Sequence, residues 1–583
     1  MTYMKQVLFL IVFVLLSAGI TTPARAAVMS DCLFTSLQTA VTTAASGDTI
    51  DYGSLGCTVN FTATITITGK ALTFTSNPAS PTTFHGGTTV QLINTDSPLV
   101  INGLIFSSGR ATNGGAISAT NTLTITNSYF NNNRATGDGG AVYYSGINQA
   151  FMNNVVFGSN TADGEGGAVY TDSGINITDC TFTNNTASSD GGGISASDES
   201  VVSGCTFVNN QATGGSGGAV QMGRGGMVGE VNYSVFINNS ASGEGGAVII
   251  QGGGVVGTLT NNVFTANSAN IGGGAVIFGG SAVANIYSNT FAYNTATTDG
   301  GGLLIWGGPN ITTMTNNTFY DNDAGTGGEG YHNMFDGSGN ILHNTFVMNG
   351  TGLYDAGTAS TYNIRYNIIS DSCVNITADA TNLTNIGCSA ATTVADLGLA
   401  GFDGEVVQLL TTSIAIDYYA PACLVVNDAL GTPRPQGAGC DVGAVESPGV
   451  SAPITPPSAP SSGATVLGCA LDSTDGVDVA NAPDNTYCRI LMKNGAVVSY
   501  SGAIPAELIG LGVKLGVEVY RLEGGMSINT FPDYARICLQ GSGRYFYLDG
   551  RNAPRYAVEM PTESVDNMTC AWIPAPGTVV LTN

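Results

Sequence analysis

The residues able to do chemistry are few, and most recur at a fixed step. Asp138, Glu165, Asp190, Glu244 and Asp299 each stand immediately before a Gly-Gly pair, and Ser216 and Gly272 interrupt the series. Stacked in space, these carboxylates would line one edge, where like charges repel unless cations or protons relieve them. Two readings stay open: a solvated acidic edge, or weak oxygen ligands for Ca²⁺. The tandem Gly-Gly-x-Gly-x-Asp calcium repeat of other solenoids is absent. Glu329, His332 and Asp336 share a stretch that departs from the repeat and would mark a site if the fold gathers them. His343 stands where other repeats carry Asn127, Asn154 or Asn316, so a polar turn residue accounts for it. Arg224, within Met222-Gly223-Arg224-Gly225-Gly226, reads as an exposed loop arginine, with a catalytic role as its alternative. Trp306 follows Leu303-Leu304-Ile305 and reads as packing, with a sugar-stacking platform as the alternative.

Twelve cysteines complete the inventory. In an exported chain they suggest disulfides rather than metal ligands, since neither a CxxC nor a His/Cys cluster occurs. Pairing sequence neighbours leaves none over: Cys32/Cys57, Cys180/Cys205, Cys373/Cys388, Cys423/Cys440, Cys469/Cys488 and Cys538/Cys570.

These residues fall short of a catalytic set. Glycoside hydrolysis needs two carboxylates across a scissile bond. Lyase chemistry needs a base and cations to hold an acidic polymer. The central repeats carry only Arg110, Arg134, Arg224 and Arg365 as cations. No catalytic residue and no cofactor other than Ca²⁺ is therefore expected.

The elements that carry these residues come from an internal repeat. A Phe-x-x-Asn unit recurs at Phe130, Phe157, Phe182, Phe207, Phe236, Phe264, Phe291, Phe319 and Phe346, at steps of 25 to 29 residues. Gly-Gly-(Ala/Gly)-(Val/Ile/Leu) alternates with it, beginning at Gly114, Gly139, Gly166, Gly191, Gly217, Gly245, Gly273 and Gly300. Five residues before each Phe stands an apolar residue: Ile125, Met152, Ile177, Val202, Val231, Leu259, Ile286, Met314 and Ile341. Strands of three to five residues bounded by Asn, Gly, Asp and Ser fit this pattern, and helix does not. Each repeat is then one coil of an all-β, right-handed parallel β-helix, with Phe stacked inside. Asn262, Asn289, Asn317 and Asn344, two before the Phe, form an internal ladder by alternation. Weaker coils extend the stack at both ends, to roughly 13 coils and a rod on the order of 60 Å.

The GGAV/GGAI and FxxN pair resembles the repeat of the chlamydial polymorphic membrane proteins. The segment from Gly431 to Glu446, GTPRPQGAGCDVGAVE, resembles the closing motif of "choice-of-anchor Q" β-helix proteins, with Ser413-Ile414-Ala415-Ile416-Asp417 upstream. The resemblance covers about residues 30 to 446. It implies an envelope or extracellular β-helix whose terminal region caps the stack. No segment after Glu446 has room for a translocator barrel, so autotransport is not carried over.

The remaining boundaries follow from composition. Lys5, the apolar run Val7 to Leu16 and Ala24-Arg25-Ala26 read as a secretory signal peptide over 1–26. The β-helix takes 27–446, a Pro/Ser linker 447–463, and a small disulfide-containing β domain 464–583. No transmembrane segment is expected after cleavage. The formal net charge is −25, and about −27 without Lys5 and Arg25. A chain this acidic is not drawn to nucleic acid or anionic lipid. The leading expectation is a secreted or cell-surface, non-catalytic rod contacting extracellular glycans or surface proteins. The competing classes are a polysaccharide-active enzyme and a purely structural sheath component.

Overall fold

A strand of three residues cannot shield its own apolar side chain, so it needs copies above and below. The computed structural model describes residues 25–447, apart from short stretches such as 224–228, 252–255 and 279–282, together with strand backbones between 470 and 582. In it the repeats wind into an all-β, right-handed parallel β-helix. One coil runs through Leu123–Thr126 in sheet I, Tyr129–Asn131 in sheet II, Arg134–Ala135 in the short ladder III and Val142–Tyr144 in sheet IV. The four sheets hold 14, 15, nine and 13 strands, each paired in parallel with its equivalents in the neighbouring coils. The register keeps Phe on Phe: Phe130 opposes Phe157, and Phe157 opposes Phe182.

Alternation puts the repeated apolar residues inside. The Phe column and the Ile125 column are fully buried. From Phe106 to Phe346 successive rings stack with centroids 4.7–5.0 Å apart. Parallel in-register pairing forces this, because identical residues recur at one strand spacing along the axis.

Three corners per coil need a left-handed backbone, and each is read by residue type. One lies three residues before the Phe (Asn127, φ 50°) and one two after it (Asn132, φ 56°). Asn is enriched at such positions because its side chain tolerates them. The third is the first glycine of the Gly-Gly pair, at φ 64° for Gly139. A Cβ on the second, Gly140, would collide with the Gly167 carbonyl oxygen of the next coil. One register shifts from expectation: Gly272, not Gly273, holds the left-handed corner of its coil, and Val248 pairs with Ala275. The residue preceding that corner is Ile271, so Ile271 rather than Gly272 interrupts the acidic series.

After two of these corners comes a buried polar ladder. The Asn of Phe-x-x-Asn forms the longer one, Asn133 to Asn349, ending on Asp371. Each amide nitrogen donates to the next Asn oxygen and to a main-chain carbonyl one coil back, as Asn210 does to Asn239 (2.9 Å) and Phe182 (2.9 Å). The expected column two before the Phe is the second ladder, running from Asn262 to Asn382.

Cys180 and Cys205 belong to this second column, and their expected disulfide is absent: both are buried free thiols. Each sulfur does what Ser and Asn do elsewhere in the column. Cys180 Sγ donates to the Thr178 carbonyl (3.2 Å) and Cys205 Sγ to that of Ser203 (3.2 Å). Each also accepts a main-chain N–H from the coil before, Val155 to Cys180 (3.4 Å) and Cys180 to Cys205 (3.3 Å). Cys32–Cys57, Cys373–Cys388 and Cys423–Cys440 are bonded, with Cα atoms 6.2, 5.1 and 5.6 Å apart.

The two ends of the rod region differ. At the start, helix α1 (Phe34–Thr43) covers the first coils with Leu37 and Val41 buried and Phe34 5.1 Å from Phe61. Lys70 Nζ satisfies its terminal carbonyls at Val41 (2.5 Å) and Ala44 (3.0 Å). At the other end the expected cap is instead a lateral clasp. The described residues between 397 and 446 fold back along the outside of sheet II, where Phe402 stacks on Tyr320 at 4.6 Å. Ala444 N donates to Thr345 Oγ1 (3.0 Å), Gly443 N to the Tyr366 carbonyl (2.8 Å) and Asn316 Nδ2 to that of Asn427 (2.7 Å). The apolar Leu397, Ala415 and Val442 find their partners in Ile368 and Leu383 on this flank, which is why the segment lies there. Buried Arg434 ties it internally, bonding Glu446 (2.8 Å) and the carbonyls of Asp441 (2.9 Å) and Gly443 (2.8 Å).

The C-terminal strands form sheets of five and seven, mixed in direction, and their register sets Cys538 opposite Cys570. The expected Cys469–Cys488 disulfide is not among the bonded pairs of the described residues, because Cys469 lies outside them. Cys488 itself stands in the strand Thr486–Lys493, where its register partners are Ser501 and Val517 rather than a cysteine. Of the expected signal peptide over 1–26 only Arg25 and Ala26 are described, and of the expected linker over 447–463 only Ser447. No described helix is long and apolar enough to cross a membrane.

Candidate functional site

The outward residues of sheet IV form a column of changing chemistry. Val142 and Tyr144 point inward, so Tyr143 between them points out. In register with it stand Ser118, Tyr170, Ser195 and Gln221, then Ile249, Val276 and Leu304, then His332 and Tyr354. Ser118, Tyr143 and Tyr170 are half-buried, whereas the members from Ser195 to His332 are buried. Trp306 packs against Ile249, Val276 and Leu304 together with Ile271 and Met334, which favours packing over a free platform.

The open part carries an aromatic pair beside carboxylates. The Tyr143 and Tyr170 rings stack at 5.3 Å with planes 8° apart. Both hydroxyls donate to Asp172, Tyr170 at 2.6 Å and Tyr143 at 3.3 Å. Burial raises both phenol pKa values, and Asp172 raises them further. Glu165 and Asp138 add their negative charge at Tyr170. Both rings are therefore neutral hydrogen-bond donors whose hydrogens are already committed. Next along the column, Ser195 Oγ lies 2.9 Å from Glu165 Oε2 and 2.7 Å from Gln221 Oε1. Gln221 is fully buried, and its Nε2 has no partner.

The acidic corner runs alongside. Asp138 Oδ1 accepts the Glu165 N–H (2.9 Å), and Asp190 Oδ1 accepts that of Ser216 (2.7 Å). Glu244 bonds Ser216 Oγ, and Asp299 accepts from Thr326 Oγ1 (2.7 Å). Among the described residues, no three His, Cys, Asp or Glu side chains converge as metal ligands. The five acids form a line: Asp138, Asp190, Glu244 and Asp299 bond the turn of a neighbouring coil, and Glu165 the Ser195 hydroxyl on sheet IV.

The divergent stretch is only partly gathered. His332 Nδ1 lies 3.5 Å from Asp299 Oδ1, and its ring meets Tyr354 at 4.5 Å. Burial lowers the His332 pKa, against the pull of Asp299. Glu329 is occupied with the Thr351 N–H (2.8 Å), and Asp336 is exposed. His343 holds the left-handed corner expected of a turn residue, at φ 53°. It is buried beneath the clasp, where burial, with Arg434 nearby, pushes its pKa down to about 3. Arg224 lies outside the described residues.

The Tyr pair was missed in the sequence although a signal exists. Tyr143 and Tyr170 each stand four residues after the first glycine of a Gly-Gly pair, one coil apart.

Comparison with known families agrees with the coil geometry. A family model described as a right handed beta helix region matches residues 56–232. No curated protein and no solved structure matches the chain.

Proposed function

We propose that this chain is an exported, non-catalytic rod of the cell surface or extracellular space that contacts glycans through the outer face of sheet IV. The observation that carries this reading is the Tyr143–Tyr170 stack, half-buried and bordered by Asp172, where unlike functional groups meet on the flank of a repetitive rod. Stacked tyrosines offer flat apolar area with polar edges, the chemistry that suits a sugar ring. The recurring polar residues support a structural use elsewhere: the Asn ladders close the coils, and the corner acids bond neighbouring coils, Asp138 and Asp190 through main-chain N–H groups and Glu165, Glu244 and Asp299 through hydroxyls. The leader at residues 1–26 and the three disulfides accord with an oxidising, extracellular location. The likeness of residues 30–446 to chlamydial polymorphic membrane proteins and to the choice-of-anchor Q group points the same way, with 464–583 as a separate module.

The test is a screen of the purified mature chain on pectins, alginates and neutral glycans, with and without Ca²⁺. Binding at most, without depolymerisation, is expected. Reproducible release of oligosaccharides, abolished by Arg224→Ala or Glu329→Gln, would replace this reading with an enzyme on the same scaffold.

A further inference from the structure

The patch around Tyr170 is selective in its hydrogen bonding. Both phenol hydrogens go to Asp172, and Asp138 and Glu165 lie close enough to add their charge at Tyr170. What the patch turns outward is therefore acceptor oxygen and aromatic face, with negative charge. Such a surface favours a ligand that brings donors and positive charge, because an ammonium gains both from the carboxylate and from the ring. A uronic-acid chain would be repelled, and a neutral sugar would gain only the stacking.

A further observation favours a sugar over a bare cation. The aromatic ladder stops at Ser118, which is in register with Tyr143 and half-exposed, so the far face of Tyr143 has no ring against it. A pyranose placed there would continue the stack.

We infer that this face binds a glycan bearing free amines, a polymer containing 2-amino-2-deoxyhexose units, with its ammonium groups on Asp172 and Glu165 and its rings over the Tyr143–Tyr170 stack. The inference rests on the glycan-contact reading above and narrows it to one charge class.

Titration calorimetry on the full mature chain tests it with four probes: a glucosamine hexasaccharide, its fully N-acetylated counterpart, an oligogalacturonate of the same length, and spermine. The glucosamine oligomer should bind, more weakly as salt rises, and acetylation should abolish most of that binding. Asp172→Asn and Tyr170→Ala should each weaken it by at least about 10-fold. Asp323→Asn, at an exposed acid of ladder III, should stay within about twofold of the parent. Asp172→Asn preserves size, so it reports on the site even if Tyr170→Ala folds poorly. Equal binding of the acetylated oligomer, or preference for the galacturonate, would overturn the amine assignment and leave glycan contact standing. Equal binding of spermine would show that charge alone is recognised and overturn the sugar. Unchanged affinity in both variants would overturn the location. Binding of none of the glycans would overturn this inference and the broader reading together.

Discussion

The Asn210 side-chain nitrogen lies 2.9 Å from the Asn239 side-chain oxygen one coil later, and the Asn210 main-chain N–H reaches that same oxygen at 2.9 Å. One carbonyl thus closes both a side-chain rung and a corner that no strand can pair. Asn210→Ala should strand the Asn185 N–H and the Phe182 carbonyl inside the rod, at a cost of about 3–5 kcal/mol. Urea unfolding checks it, and an unchanged midpoint would mean that water replaces the rung.

Phe236 sits 4.8 Å from Phe207 and 4.9 Å from Phe264 in the ring column. Phe236→Ala should open a cavity and destabilise by about 3–5 kcal/mol. Hydrogen exchange should show the loss first in the adjoining coils, since coils couple mainly to neighbours. Uniform loss along the rod would contradict that locality.

Mass mapping of the non-reduced protein should find Cys180 and Cys205 as free thiols. Burial raises the pKa of Cys205, so alkylation of the folded protein should be slow and unfolding should release it. Cys180→Ser should cost no more than about 1.5 kcal/mol, because Ser128 and Ser234 already serve this column by the same bonds. A disulfide-linked peptide pair would reject the assignment.

The clasp gives a pH signature. His343 is held neutral in the fold down to about pH 3, while its unfolded pKa is near 6.5. Between these values the unfolded chain binds the extra proton, so this contribution to stability is complete above about pH 6.5 and is lost as pH falls towards 3. Asp441 works oppositely, since burial raises its pKa to about 6 and its contribution is lost as pH rises through that value. Comparing the parent with His343→Asn isolates the histidine. The variant should be less pH-sensitive in this window by up to about 1.4 kcal/mol per pH unit. Parallel stability profiles would show that His343 is solvated.

Arg434→Ala would leave Glu446 buried without its partner, at about 3–5 kcal/mol. The loss should fall on the clasp: limited proteolysis should cut within 397–446 while residues 56–232 stay protected. Equal protection of both regions would separate the arginine from clasp docking.

How far the fold could be read from the sequence depended on periodicity. The Phe, Ile125 and Asn columns were legible because parallel stacking repeats one chemical choice at every coil, and the His343 corner was placed by the same alignment. The lateral clasp was not, since residues 397–446 have no period and dock through one-off partners such as Phe402 on Tyr320. Sequence proximity succeeded for three described disulfides but failed for Cys180 and Cys205, where adjacency in the stack gives parallel side chains already occupied by main-chain bonds. Of the candidate site, the corner acids were visible as a series. The Tyr pair occurs in only two coils and its partner Asp172 in one, too few copies to stand out.

The longer ladder also makes each rung span three coils. From Asn133 to Asn349 every side-chain amide gives one hydrogen to the side-chain oxygen of the next coil and the other to a main-chain carbonyl of the coil before, as Asn133 does to Asn160 and Phe106. The column ends on Asp371, which accepts from Asn349 Nδ2 at 2.7 Å. Drawing one coil away from the stack therefore breaks ties to both of its neighbours at once, and a coil at the end of the column, tied on one side only, is the first that can peel.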